Sequence, residues 1–193
     1  MKAWSLWGGL FLFVAAELFY LLGSPDQSFA SHMTLHMIVV AIAPIFVAFG
    51  IPEIIQRKAS KHNFLFSPLN ASVVELIIVW GWHTPGAHHF ARSSILGFIL
   101  EQGSFILSGL WLWFSCVVTP ARGLCVLGLL LTSMHMTFLG ALISLASRPL
   151  YHHELSDQQL GGGVMLVIGG LSYLTGGLWF SRRMLAAHPL EST

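Results

Sequence analysis

The chain has 193 residues, 55% of them apolar and only 9% charged, where ordinary soluble domains carry roughly 25% charged residues. Nine basic and eight acidic side chains leave a net charge of +1. So few charges cannot cover a soluble surface, which excludes a soluble enzyme and a disordered chain. The near-neutral balance also excludes a basic nucleic-acid-binding face. Cys116 and Cys125 make no CxxC pattern and no disulfide framework. The unusual count is ten histidines, accompanied by seven methionines.

A hydrocarbon core about 30 Å thick takes roughly 20 apolar residues per helix. Six such stretches are expected, near 3–23, 31–50, 65–84, 95–118, 122–147 and 160–180. The expected fold is all-α, a polytopic membrane helix bundle forming one integral domain over 1–193. Apolar strands of period two are absent, which argues against a β-barrel. Lys2 ahead of the first run and Ser28-Phe29-Ala30 behind it imitate a signal peptide. The run exceeds a signal core of about 7–15 residues, so it reads as a retained span. Breakers stand between the spans at Ser24-Pro25-Asp26, Ile51-Pro52, Thr84-Pro85-Gly86 and Thr119-Pro120. An inside N-terminus puts Lys2, Arg57, Lys58, Lys61, Arg122, Arg182 and Arg183 in the cytoplasm and only Arg92 and Arg148 outside. Both termini are therefore expected to be cytoplasmic.

In that orientation His32, His36, His83, His88, His89, His152 and His153 collect at the outer side, His135 lies near mid-membrane, and only His62 and His188 are inside. The first span carries Glu17 in its outer half. The second opens with His32-Met33-Thr34-Leu35-His36-Met37. The four-residue step puts His32 and His36 on one helix face, with Met33 and Met37 in a parallel row about 100° round. Imidazole with thioether suits copper, and thioether favours Cu(I). The same residues also serve as interfacial hydrogen-bonding groups and core filler.

The third span holds Glu75, to which no role is assigned, and ends in Trp80-Gly81-Trp82-His83-Thr84-Pro85-Gly86-Ala87-His88-His89. His83 there is a further candidate ligand, while His88 and His89 read as loop-borne. Glu101 in the fourth span, like Glu17, can orient a ligating imidazole or simply join two helices. His135 within Met134-His135-Met136 is costly against lipid and should face the bundle interior. It is a candidate ligand with Met136, or a helix–helix hydrogen bond. His152 and His153 follow Arg148-Pro149-Leu150-Tyr151. The last span spaces Gly162-Gly163, Gly169-Gly170 and Gly176-Gly177 by seven residues, leaving a side-chain-free face for close helix packing.

Asp157-Gln158-Gln159-Leu160-Gly161-Gly162 and the glycine-spaced run to Trp179 closely resemble the last helix of the multi-spanning CtaG-type cytochrome c oxidase assembly factors. His32-Met33…His36 with Ala43-Pro44 and Gly50-Ile51-Pro52 resembles that family's second span, and Trp82-His83-Thr84-Pro85 its tryptophan–histidine–x–proline turn. The resemblance covers about Ser31 to Arg183. Family members often have a seventh span. Where they often show glutamate–histidine in the fourth, this chain has Glu101-Gln102, and glutamine is a poor Cu(I) ligand. The resemblance implies a role in maturing a haem–copper oxidase in the bacterial inner membrane; no acid–base pair, nucleophile–base pair or catalytic zinc spacing stands out in the sequence, so a non-enzyme is expected. Its partners would be oxidase subunits and a periplasmic copper chaperone. The expected Cu(I) site uses His32, His36, His83 and His135, with Met33, Met37 and Met136, supported by Glu17, Glu101 and Asp157. Two rivals are a b-type cytochrome with haem between histidines such as His36 and His135, and a metal-free scaffold docking through the glycine face.

Overall fold

A computed structural model describes residues 2–22, 28–62, 64–151 and 153–186; Ser24-Pro25-Asp26, His152 and His188 lie outside them. The described residues are helical, with no strand among them. In chain order they form α1 (Lys2–Leu22), α2 (Phe29–Met37), a π-helical segment (Ile38–Ile42), α3 (Ala43–Gly50), α4 (Glu53–Ala59), α5 (Pro68–Trp82), α6 (Pro85–Ser93), α7 (Ile95–Val118), α8 (Arg122–Ser144) and α9 (Leu155–Ala186). The chain is a polytopic membrane helix bundle. Among the described residues five helical stretches are long and apolar enough to cross a membrane: α1, the continuous α2–π–α3 unit, α7, α8 and α9.

The expected third span is shorter than its apolar run. Pro68 starts α5, and Thr84-Pro85 follows its end at Trp82, leaving 15 residues, about 22 Å against a core of about 30 Å. The last helix runs the other way, to 32 residues, because nothing in it breaks the backbone pattern on either side of the apolar stretch. Two short helices, α4 and α6, occupy segments expected to be loops. In α6 the signal is Thr84-Pro85, which ends α5 and also starts the next helix, since proline suits the first helical turn.

The π segment has a local cause. Pro44 has no N–H and crowds the carbonyl four residues back, which is that of Val40. The freed Val40 oxygen accepts a hydrogen bond from the Tyr173 hydroxyl at 3.1 Å. That hydroxyl also lies 2.6 Å from Glu75 Oε1, so Glu75 joins α5 to α9 and to the bulge in the second span. Trp113 stacks on Tyr173, and this level is the centre of the core.

α9 packs along α8, α2 and the π segment. A Cβ on Gly140 would lie 2.8 Å from the Gly162 carbonyl, and one on Gly162 would lie 2.8 Å from the Gly140 carbonyl. Backbones meet there without intervening side chains, so the glycine face closes on the bundle itself. The outward faces stay apolar, with Trp4, Phe11, Ile95, Leu107, Leu145 and Leu178 all exposed, as a lipid-facing surface requires.

Candidate metal centre

The start of α2 is held from two sides. Ser28 Oγ accepts from the Ser31 N–H at 3.1 Å. Asp157 of α9 accepts from the N–H groups of Phe29 and Ala30 at 2.6 and 3.1 Å. A carboxylate on free N–H groups at a helix start is favourable in hydrogen bonding and in dipole. Asp157 therefore fixes the start of the helix that carries His32 and His36. Gln158 adds to this: its Oε1 accepts from Leu150 and Tyr151 N–H at 2.6 and 3.3 Å.

On that helix His32 and His36 are buried and face each other, Nε2 to Nε2 at 2.7 Å. Arg92 Nη1 lies 2.9 Å from His32 Nδ1, while also bonding the Tyr20 hydroxyl. A guanidinium only donates, so His32 Nδ1 accepts and its hydrogen sits on Nε2. That hydrogen points at His36 Nε2, which leaves the His36 hydrogen on Nδ1, a buried atom without a partner among the described residues. Glu101 Oε1 of α7 is 3.7 Å from His36 Nε2. One ligand atom each from His32, His36 and Glu101 falls within 4.8 Å of the others. Glu101 thus stands among the candidate ligands and not only behind them. Gln102 donates to its other oxygen at 3.3 Å.

Two more imidazoles extend the pair into a row. The His83 ring centroid is 6.3 Å from that of His36. Its Nδ1 donates to the Val79 carbonyl at 2.6 Å, so Nε2 carries a free lone pair, and that atom is buried without a partner among the described residues. This is the tautomer a metal ligand needs. His88 sits 5.5 Å from His32. Helix α6 turns it inward beside Ala91 while His89 faces out, which reading 85–93 as a loop had concealed. Burial, then the neighbouring His83 and the Arg92 cation, push His88 down to about 3, so it is neutral at pH 7. Tyr151 stacks on Phe29 at 4.8 Å, touches His88 at 4.6 Å and donates to the His83 carbonyl at 2.8 Å. The missed signal for His88 was Pro85 as a helix start; Tyr151 had none.

The other candidates lie elsewhere. Met33 and Met37 face α9: the positions of Cβ atoms on Gly161 and Gly169 fall 3.2 Å from Met33 Cγ and 3.4 Å from Met37 Sδ. Met136 meets the same Gly169 position, its Cβ at 3.2 Å. The three methionines pack on the glycine face of α9. His135 is also apart. Thr132 bonds Ser72 of α5 at 2.7 Å and Phe138 stacks on Trp80 of α5. His135 lies between these two in height and in azimuth, so it faces α5, with both ring nitrogens unpartnered among the described residues. Among the described residues no imidazole bonds Glu17, and its Oε1 is buried without a partner. His153 is half-buried, 3.8 Å from Asp157.

No curated protein and no solved structure matches this chain. The family described as cytochrome c oxidase caa3 assembly factor (Caa3_CtaG) matches residues 1–187. A helix bundle whose Asp157-Gln158 pair ties α2 and the 150s loop to α9, and so fixes a buried imidazole row, therefore belongs to the cytochrome c oxidase caa3 assembly factor family.

Proposed function

We propose that the chain handles Cu(I) as cargo on the periplasmic side of a bacterial inner membrane, during maturation of the oxidase, and that it catalyses no reaction. The reading has both termini in the cytoplasm and α5 completing a sixth crossing. The observation that carries it is the buried His32–His36 pair facing Glu101, with the free Nε2 of His83 beside it. Oxidase subunits are the expected recipients and a periplasmic copper chaperone the expected source.

In this reading the resting site is closed on a proton. Imidazole nitrogens hold a first-row ion at about 2.0–2.1 Å, so two of them on one tetrahedral ion stand about 3.3 Å apart. The 2.7 Å pair must open by roughly half an ångström and give up the hydrogen between its rings. His32 must also move its hydrogen to Nδ1, where Arg92 now donates. Arg92 release is thus coupled to ion entry, and its return to ion exit. Glu101 contributes negative charge against the ion and an oxygen donor. A shell that must be opened on both occasions suits transfer better than storage.

The test is Cu(I) binding by purified protein against a chromophoric Cu(I) chelator, with oxidase activity of membranes as the cellular readout. His32→Ala/His36→Ala should lose the site and lower the yield of copper-loaded oxidase. Unchanged stoichiometry and affinity at this end of the bundle would refute it.

A further inference from the structure

A second group of soft donors stands at the opposite end of α7. Cys116 is in its last turn and Cys125 in the first turns of α8, and neither side chain is exposed. The Thr119-Pro120-Ala121 turn folds one helix back on the other. Cys125 Sγ then reaches the carbonyls of Cys116 at 3.5 Å and Ala121 at 3.7 Å, which sets the two cysteines side by side. The turn next to them carries exposed Pro120 and Ala121.

A cation is fixed beside the pair. Arg122 Nη1 donates to the Cys116 carbonyl at 3.4 Å, and its guanidinium lies 5.6 Å from the Phe180 ring. Among the described residues no carboxylate pairs with it. A half-buried positive charge without a counter-ion is unfavourable, and it favours an anion formed next to it.

We propose that Cys116 and Cys125 are a dithiolate site for a soft monovalent cation of the Cu(I) type, entered through the α7–α8 turn. Each thiol gives its proton to water, the two thiolate sulfurs bind one cation, and the resulting single negative charge faces Arg122. No electron is transferred. Thiolates select a soft ion. Fifteen residues of α7 separate Cys116 from Glu101, about 22 Å along the axis. The proposal is therefore independent of the histidine centre, and the two fail separately.

The experiment titrates the full chain in detergent, reduced and anaerobic, with Cu(I) against the chelator, following near-ultraviolet thiolate-to-copper absorption and proton release. The His32→Ala/His36→Ala protein should keep one equivalent of Cu(I) with that absorption and release about two protons as it binds. Cys125→Ala and Cys116→Ala should each abolish both signals, and Arg122→Gln should weaken binding about tenfold, within the range seen when groups supporting a metal site are removed. Wild-type protein blocked with phenylarsine oxide, which bridges adjacent dithiols, should lose the same equivalent; this arm needs no variant to fold. Absence of thiolate absorption in wild type, or an equivalent that survives the arsenical or Cys125→Ala, overturns the proposal. Copper lost from the histidine variant alone, with the thiolate signal intact, bears on the histidine centre only.

Discussion

Helix α2 carries two rows of soft donors, each with a four-residue step, and they end in opposite roles. His32 and His36 turn toward Glu101 and Arg92. Met33 and Met37, one residue further on, press into Gly161 and Gly169 of α9. The first row keeps unsatisfied polar atoms near one another in a buried place, which is unfavourable unless something binds there. The second is packed to van der Waals contact and gains from burial alone. Donor type does not make a ligand; the neighbouring helix that each row faces does.

The sharpest way to break this contrast is to spoil the surface that receives the methionines. Gly162→Leu would drive a side chain into the Gly140 carbonyl of α8. Overpacking usually costs about 1–3 kcal/mol, and a clash with backbone should exceed that, so the variant is expected to fail to yield folded protein by thermal melting in detergent. Next in size is a paired comparison by Cu(I) titration. His36→Ala should lower affinity at the histidine centre about 100-fold, at the upper end of the losses seen around metal sites. Met37→Leu should leave affinity within threefold and cost under about 1.5 kcal/mol of stability, as volume-conserving swaps do. A large copper defect in Met37→Leu would put the thioether row back among the ligands.

Asp157→Asn comes next. It weakens the acceptor on the Phe29 and Ala30 N–H groups, with an expected loss of about 1 kcal/mol in melting experiments and about tenfold in copper affinity. The smallest effect has the opposite sign. Arg92→Gln removes the donor that holds the hydrogen of His32 on Nε2. Copper should bind severalfold more tightly, with stability within about 0.5 kcal/mol of the parent, as for an exposed residue. Weaker binding would mean that Arg92 helps to hold the ion instead of competing with it.

Much of the bundle was legible because membranes impose a length and a composition. The fourth span agrees at both ends with α7, Ile95–Val118, since Ser94 caps one end and Thr119-Pro120 stops the other. The glycine face was legible as packing, and its partner turned out to be α8 and the α2 methionines. Less legible was any feature where one residue does two things. Pro85 was read as a stop and is also a start, so α6 and the inward turn of His88 were missed. Pro44 looked like part of a motif and also produces the π segment that Tyr173 and Glu75 satisfy.

The sequence by itself determined a greasy helical chain with histidines gathered toward one end, because burial in lipid and helix periodicity are local properties of composition and spacing. Which donors share a centre was decided only by the tertiary structure. The azimuth of each helix sets it: α2 aims its imidazoles at α7, α8 aims His135 at α5, and the turn after α7 folds two thiols together. Those rotations follow from backbone contacts such as Gly140 against Gly162, which depend on residues more than twenty positions apart.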